Sequence, residues 1–381
     1  MITRVIESAG KEQSMTDTMK KVVDADTHIS ESQGMWEFLD REMYHRRPVL
    51  MSVPEDTLYG ERNAFWLIDG NIFPKPAGRG GFNLITPSAA KRQQVRTDIN
   101  LGCRDLTDPE ARLRDMDQLG FDVQVIYPTL FLIYLTDDAA LDVALCRAYN
   151  RFLADACAKG KHRLRWVVIP PLRSIEESLK EIRWAKDRGA VGVFFRGIEG
   201  NLTLDNPYFF PIYQTASDLD LPICIHQGSG CPTFINFFNL ERNRQWSHSA
   251  VLPLFAFNDI VNNKIPQLFP RLKFGFIEAY ASWVPYLLHS FKRQFRGEWK
   301  YSSSADLFRD YRIYVACETE ENLPLIADCI GEDHLLIGSD YGHNDPFEQR
   351  NFLPVLRSQT SIPRRVAEKM VHDNPCAFYG L

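Results

Sequence analysis

The sequence predicts an α/β protein, a (β/α)8 TIM barrel with long loops at the C-terminal face. The expectation rests on three observations. Short β-rich runs alternate with longer helical patterns, the signature of a parallel sheet wrapped by helices. Eight such runs can be counted along the chain. No GxGxxG or Walker-type turn follows any of them, which favours a closed barrel over a doubly wound nucleotide-binding sheet.

In chain order the runs are Lys21–Asp26, Val123–Tyr127, Leu164–Ile169, Ala190–Phe195, Pro222–His226, Lys273–Glu278, Ile313–Ala316 and Leu335–Gly338. The helix before the second run is announced by Asp108-Pro109-Glu110: a capping aspartate, a proline at the first helical position and an acid in the first turn. Leu113, Met116 and Leu119 then recur at helical spacing up to Gly120. Ser174–Arg188 repeats the pattern and stops at Gly189. Residues 1–20 read as a flexible polar leader, and 21–381 as a single barrel domain with an insertion at 42–104. That insertion exceeds the usual connection length and is rich in Gly, Pro and aromatics (Phe65-Trp66, Gly78-Arg79-Gly80-Gly81-Phe82). A second departure, Gly228–Ser247, carries Phe234, Phe237, Phe238 and Trp246. In a barrel both lie on the C-terminal face, where lids and substrate walls belong; ordered surface excursions or subunit contacts are the alternative.

With 45% apolar and 24% charged residues in 381, the composition excludes disordered and fibrous classes and leaves material for a large core. The 44 basic and 49 acidic residues give a net charge of −5, which offers no attraction to nucleic acid or an anionic membrane. A small-molecule partner is therefore expected. No apolar stretch approaches the ~20 residues of a membrane span, and the leader lacks a signal-peptide core, so a cytoplasmic protein is expected. The scattered cysteines form no CxxC pair and read as reduced, packed thiols.

The first run continues into Asp24-Ala25-Asp26-Thr27-His28, and strand alternation places Asp24, Asp26 and His28 on one face, the barrel interior. Burying such a pair requires a partner of opposite character, either a divalent cation or a hydrogen-bonded structural cluster. The other strand ends favour the cation. His226 closes the fifth run, Glu278 the sixth, and Asp340 follows the eighth with His343 close behind. In a barrel these side chains converge on one mouth, a constellation that packing alone does not explain. His45, His162, His289, His334 and His372 lack such company and are expected as surface or helix residues.

The same segments carry a resemblance. Asp26-Thr27-His28 with Met35-Trp36, Asp108 to Leu113 leading to Asp122 to Thr129, and His226-Gln227-Gly228-Ser229-Gly230 come first. Phe269 to Lys273, Gly338-Ser339-Asp340-Tyr341-Gly342-His343 and the closing Asn374 to Leu381 follow. In this order they resemble the amidohydrolase superfamily, specifically the amidohydrolase-2 branch of metal-dependent decarboxylases, hydrolases and related dinuclear oxygenases. The resemblance covers nearly the whole chain. It implies a barrel with a metal held by Asp26, His28, His226 and Asp340. Two departures stand out: Asp26-x-His28 replaces the commoner His-x-His, and Glu278-Ala279-Tyr280-Ala281 stands where many of the decarboxylases have His-Ala-Gly-Gly. The second counts against decarboxylation.

Glu278 ends a strongly apolar strand and needs a cation there. Facing the metal, it completes a set of Asp26, His28, His226, Glu278, Asp340 and His343, enough for two ions bridged by a carboxylate. Otherwise Glu278 is a general base on a metal-bound water and His343 a loop residue that orients substrate. One or two divalent ions, Zn, Mn or Fe, are expected. The first reaction class is hydrolysis or non-oxidative C–C cleavage of a small organic acid or amide through metal-bound water, with Glu278 or His343 moving protons. The second, suggested by superfamily relatives, is a dinuclear Fe or Mn oxygenase hydroxylating a small amino or carboxylic acid, alone or as one subunit of a heteromeric enzyme. The resemblance favours the first, and the intact ligand set argues against a noncatalytic barrel subunit. It also suggests a homo-oligomer, or a hetero-oligomer with a paralogue. Arg196 either binds a substrate carboxylate or forms a structural ion pair. Tyr127, Tyr341 and His248 are expected to line the pocket.

Overall fold

A computed structural model describes residues 21–52, 64–73, 101–234, 251–295, 297, 299–343 and 348–381. Its centre is an eight-stranded parallel sheet in sequence order. The strands are β1 (Val23–His28), β2 (Val123–Tyr127), β3 (Leu164–Val168) and β4 (Ala190–Arg196), then β5 (Ile223–His226), β6 (Phe274–Ile277), β7 (Ile313–Ala316) and β8 (Leu335–Leu336). Nearly all their residues are buried on both faces, as continuous apolar runs in a helix-wrapped sheet require. The sheet closes on itself. Ala25 N–H donates to Ile337 O (3.3 Å), His28 N–H to Tyr341 O (2.7 Å) and Asp340 N–H to Asp26 O (3.1 Å). The β1–β8 seam depends on a glycine, because a Cβ on Gly338 would stand 2.4 Å from the Cβ of Asp26.

The helices form where their caps dictate. In α1 (Pro109–Leu119) the Asp108 carboxylate accepts from Ala111 N–H at 3.0 Å, Pro109 occupies the first turn, and Gly120 ends the helix at φ 83°. Asp138 caps α2 (Ala139–Ala158) and Ser174 caps α3 (Ile175–Lys186) in the same way. Between β1 and α1 a three-stranded antiparallel sheet, Val49–Ser52, Ala64–Ile68 and Asn71–Phe73, docks through Trp66 edge-on against Trp36, ring centroids 5.9 Å apart. The leader 1–20, residues 53–63 and 74–100 of the insertion, and residues 235–250, with Phe237, Phe238, Trp246 and His248, lie outside the described residues.

Among the described residues no helix is long and apolar enough to cross a membrane. All eight cysteines are free, and six are fully buried. Two sequence expectations need correction. The sixth and eighth strands end earlier than expected, at Ile277 and Leu336, so Glu278 and Asp340 sit in the turns beyond. His334, expected at the surface or on a helix, is instead buried against Tyr314 with ring centroids 4.9 Å apart.

Burial pushes His334 down to about 4, below its usual value. The unfolded chain therefore binds a proton on this imidazole before the native state does. The stability it contributes is present above the ordinary histidine range and is lost as pH falls toward 4. Urea titrations between neutral pH and pH 4 should show falling stability, with a shallower fall in His334→Gln. Identical slopes in both proteins exclude the assignment.

Candidate metal centre

The C-terminal ends of β1 and β5 and the turns after β6 and β8 bring Asp26, His28, His226, Glu278, Asp340 and His343 together, all buried. Their ligand-type atoms form two overlapping quartets, each within 4.8 Å: Asp26, His28, His226 and Glu278, then His28, Glu278, Asp340 and His343. Glu278 Oε2 lies 3.2 Å from His28 Nε2 and 3.1 Å from His226 Nε2. Asp26 Oδ1 lies 3.5 Å from both of these nitrogens. Asp340 Oδ1 stands 3.4 Å from His28 Nε2 and 2.7 Å from His343 Nδ1.

The imidazoles are aimed by their other nitrogens. His28 Nδ1–H donates to Pro128 O (2.8 Å) and His226 Nδ1–H to Gln227 O (2.9 Å). Each assignment leaves an Nε2 lone pair facing the carboxylates, the tautomer a metal ligand needs. His343 stacks on His28 at 3.7 Å between centroids, and its Nε2 accepts from the Thr129 hydroxyl at 2.8 Å. Thr129 is fixed in turn by the buried Glu31 carboxylate, which accepts from Thr129 N–H (3.0 Å) and Leu130 N–H (2.8 Å).

The electrostatics call for positive charge. Burial alone would lower His226, but the Asp26 and Glu278 carboxylates outweigh it and raise the imidazole to about 10. Burial works to raise Glu278, yet His226 and His28 hold it well below the usual carboxylate range. Burial and the neighbouring His28 push His343 well down, so it is neutral. Asp26 Oδ1 and His226 Nε2 are buried and accept or donate no hydrogen bond. Three carboxylates, correctly oriented imidazole lone pairs and a gap of about 20 Å³ beside Asp26, Glu278 and Asp340 fit a divalent ion.

The geometry of Glu278 is strained. Glu278, Tyr280 and Asp340 adopt φ of 48°, 57° and 51°, a left-handed region that costs roughly 1–2 kcal/mol per residue. A carboxylate outside the cluster holds the turn. Glu321 accepts from Ala281 N–H (2.9 Å), Ser282 N–H (2.7 Å) and Glu318 N–H (3.0 Å), tying the end of β6 to the end of β7. Trp283 Nε1–H donates to Ala279 O at 2.9 Å, and the Gln227 amide donates to Glu278 Oε1.

Other residues singled out by the sequence stand elsewhere. The Arg196 guanidinium donates to Glu199 and to the Phe131 and Ile133 carbonyls, the structural pair rather than an open anion site. Tyr127 lies beneath the histidines with its hydroxyl on that of Tyr379 at 2.7 Å. Tyr341 turns its hydroxyl away to Asp115 (2.6 Å) and its ring under Arg112. Both tyrosines are fully buried packing residues. His248 lies outside the described residues. Thr129, Gln227, Glu31 and Glu321 were not anticipated. Thr129 and Gln227 closed or followed segments already singled out; Glu31 and Glu321 carried no local signal.

The family model described as amidohydrolase matches residues 23–381. The chain is 21% identical over 290 residues to a 2-amino-3-carboxymuconate-6-semialdehyde decarboxylase of Dictyostelium discoideum, covering 72% of this chain and 77% of that one. It is 22% identical over 299 residues to a gamma-resorcylate decarboxylase of a Polaromonas species, covering 71% and 87%. Among solved structures, an amidohydrolase from Mycobacterium avium subsp. paratuberculosis superposes with a TM-score of 0.72 at 19% identity, covering 95% of this chain and all 100% of that one. A 5-carboxyvanillate decarboxylase from Novosphingobium aromaticivorans, complexed with manganese and 4-hydroxy-3-methoxy-5-nitrobenzoic acid, gives 0.68 at 17% identity, with 96% and 97% covered. These superpositions establish the shared barrel.

Two substitutions probe the centre. His226→Ala should abolish stoichiometric binding of Mn²⁺ or Zn²⁺ measured by metal analysis after dialysis; full occupancy in that variant means the ligands lie elsewhere. Glu321→Ala, which touches no ligand, should weaken metal binding about tenfold by freeing the Glu278 turn. Adding Tyr280→Gly, which removes the strain the clamp withstands, should restore part of that loss in a calorimetric titration.

Proposed function

Because the chain belongs to the amidohydrolase family, we propose that it is a metal-dependent enzyme that removes a carboxylate from a small organic acid as CO₂, without net oxidation. The observation that carries this reading is the buried cluster itself, with two imidazole lone pairs and three carboxylates gathered at the mouth of the barrel. The names of its curated relatives support it, since the matched proteins are decarboxylases of small unsaturated or aromatic acids.

Asp26, His28, His226 and Asp340 are the residues that would hold the ion. A divalent ion held there would supply Lewis acidity toward the substrate carboxylate. The need is real, because Arg196 is already engaged by Glu199 and does not offer a free guanidinium. Replacing CO₂ on carbon by hydrogen consumes one proton. Glu278 is held anionic and so serves as a ligand or a proton acceptor, not as the donor. His343 sits between the Thr129 hydroxyl and Asp340 and is the group placed to move the proton. The same arrangement serves amide hydrolysis, in which Glu278 takes up the proton of the attacking water.

One observation favours a second reading. Glu278 and His28 belong to both ligand quartets, so a carboxylate common to both stands where many decarboxylases have a histidine and could serve two ions. A pair of iron or manganese ions in such a site suits dioxygen chemistry on an amino or carboxylic acid.

Incubation of the manganese-loaded protein with a panel of hydroxylated benzoates and unsaturated carboxylic acids, under argon, should release CO₂ in stoichiometric amount with the decarboxylated product. Turnover confined to iron-loaded protein, air and an electron donor would reject decarboxylation in favour of oxygenation. A metal-to-protein ratio near two that falls to one in Glu278→Ala would point the same way.

A further inference from the structure

Beside the metal centre lies a cavity of about 410 Å³. It opens among the segments that follow β2, β3 and β4 and reaches the first turn of α2. None of the six cluster residues lines it. A wall of paired backbone stands between the two. Ile133 bridges to Ser229, Ser229 N–H donates to Leu132 O at 2.7 Å and Tyr134 N–H to Ser229 O at 3.0 Å. A Cβ on Gly228 would lie 2.5 Å from Leu132 O, so the wall is closed at that point.

The chamber has the character of a ligand site, with mostly apolar walls and a few convergent polar groups in a volume that suits a small molecule. Phe131, Ile133, Leu172 and Phe209 supply the apolar surface. Its cations are already matched. Arg196 is engaged by Glu199. Arg173 donates to Asp137 at 3.0 Å and to Thr136 O at 2.9 Å, and lies over the Tyr134 ring. Asp142 is different. Among the described residues no lysine or arginine side chain pairs with it: its carboxylate takes a backbone hydrogen bond from Arg173 and lies 4.0 Å from the Cys146 thiol. It is half-buried and lines the cavity, and burial outweighs the pull of Arg196 to push its carboxyl up to about 7.

We propose that this cavity is a second ligand site, one that takes a small organic cation with its ammonium on Asp142 and its apolar body between Phe131 and Phe209. A carboxylate ligand is unsuited to it, because both arginines are occupied and no basic side chain pairs with Asp142 among the described residues. The site is thus complementary in charge to a centre built for acids. The segment Phe131–Tyr134 forms the wall of this cavity and also pairs with Ser229, three residues beyond His226, so an occupant presses on the strand that carries a metal ligand.

The test is titration of the protein with 2-phenylethylammonium, with phenylacetate as an anion of similar size, by calorimetry. Saturable one-to-one binding of the ammonium is expected in both the metal-loaded protein and protein stripped with chelator. Asp142→Asn, which keeps the shape and an acceptor oxygen, should weaken it about tenfold or more with an unchanged thermal melt. The proposal fails if no saturable binding occurs below ~10 mM, if phenylacetate binds equally well, or if Asp142→Asn binds unaltered. Binding seen only with metal present also overturns it, by placing the ammonium at the metal centre. A crystal soaked with the bromo-substituted amine should show the halogen between Phe131 and Phe209; density over Asp26 and Asp340 instead would be a refutation.

Discussion

Asp26, Glu278 and Asp340 point their carboxylates at one small volume inside the barrel mouth, each within 3.5 Å of His28 Nε2. Like charges at that range repel strongly where water is excluded. The arrangement is tolerable only if positive charge sits among them, and without an ion the burden falls on the imidazoles, which is why His226 holds its proton up to about 10. A bound divalent ion would replace those protons with a charge that neither diffuses nor titrates. Metal affinity and acidity are accordingly two faces of one balance at this centre.

Much of the surrounding structure serves to keep the carboxylates from escaping that crowding. Asp24, two residues before Asp26, accepts from the Ser339 N–H (2.8 Å), the Ser339 hydroxyl (2.6 Å) and the Gln124 amide (3.1 Å). Gln124 in turn accepts from the wholly buried Arg112 at 2.6 Å. Arg112 reaches His28 O (3.2 Å) and Cys103 O (3.1 Å) while stacked 3.9 Å over the Tyr341 ring. One polar network therefore grips β1, β2, α1 and the turn after β8, the elements that hold four of the six cluster residues. Gly338 and Gly342 let those chains approach, since a Cβ on Gly342 would stand 2.7 Å from His28 O.

What could be read in the sequence follows from what is periodic or local. Strand alternation placed Asp26 and His28 inward, and the barrel's order brought His226, Glu278 and Asp340 to the same mouth. Capping chemistry located α1 and α3 almost to the residue. Conformations set by distant contacts were not legible. Nothing in Glu278-Ala279-Tyr280 announces two left-handed residues, because the carboxylate that holds them is Glu321. The two readings of Arg196 are separated only by Glu199, three residues on, which folds back onto the guanidinium. Tyr127 and Tyr341 sit beside the predicted ligands, yet their hydroxyls are claimed by Tyr379 and Asp115, contacts separated by most of the chain. His334 has no local partner in the sequence, and its burial against Tyr314 requires none.

The seam between β1 and β8 also imposes an order in time. Asp24 and Ser339, whose hydrogen bonds lock the seam, are 315 residues apart. At about 5–20 residues per second of synthesis, the ribosome needs roughly 15–60 s to deliver the second after the first. During that interval Asp26 and His28 exist without Asp340, His226 or Glu278 for most of the wait, and the closed barrel cannot form. A divalent ion would therefore find no assembled site on the nascent chain. Its capture would report that the last strand has docked, and metal occupancy would double as a record of completed folding.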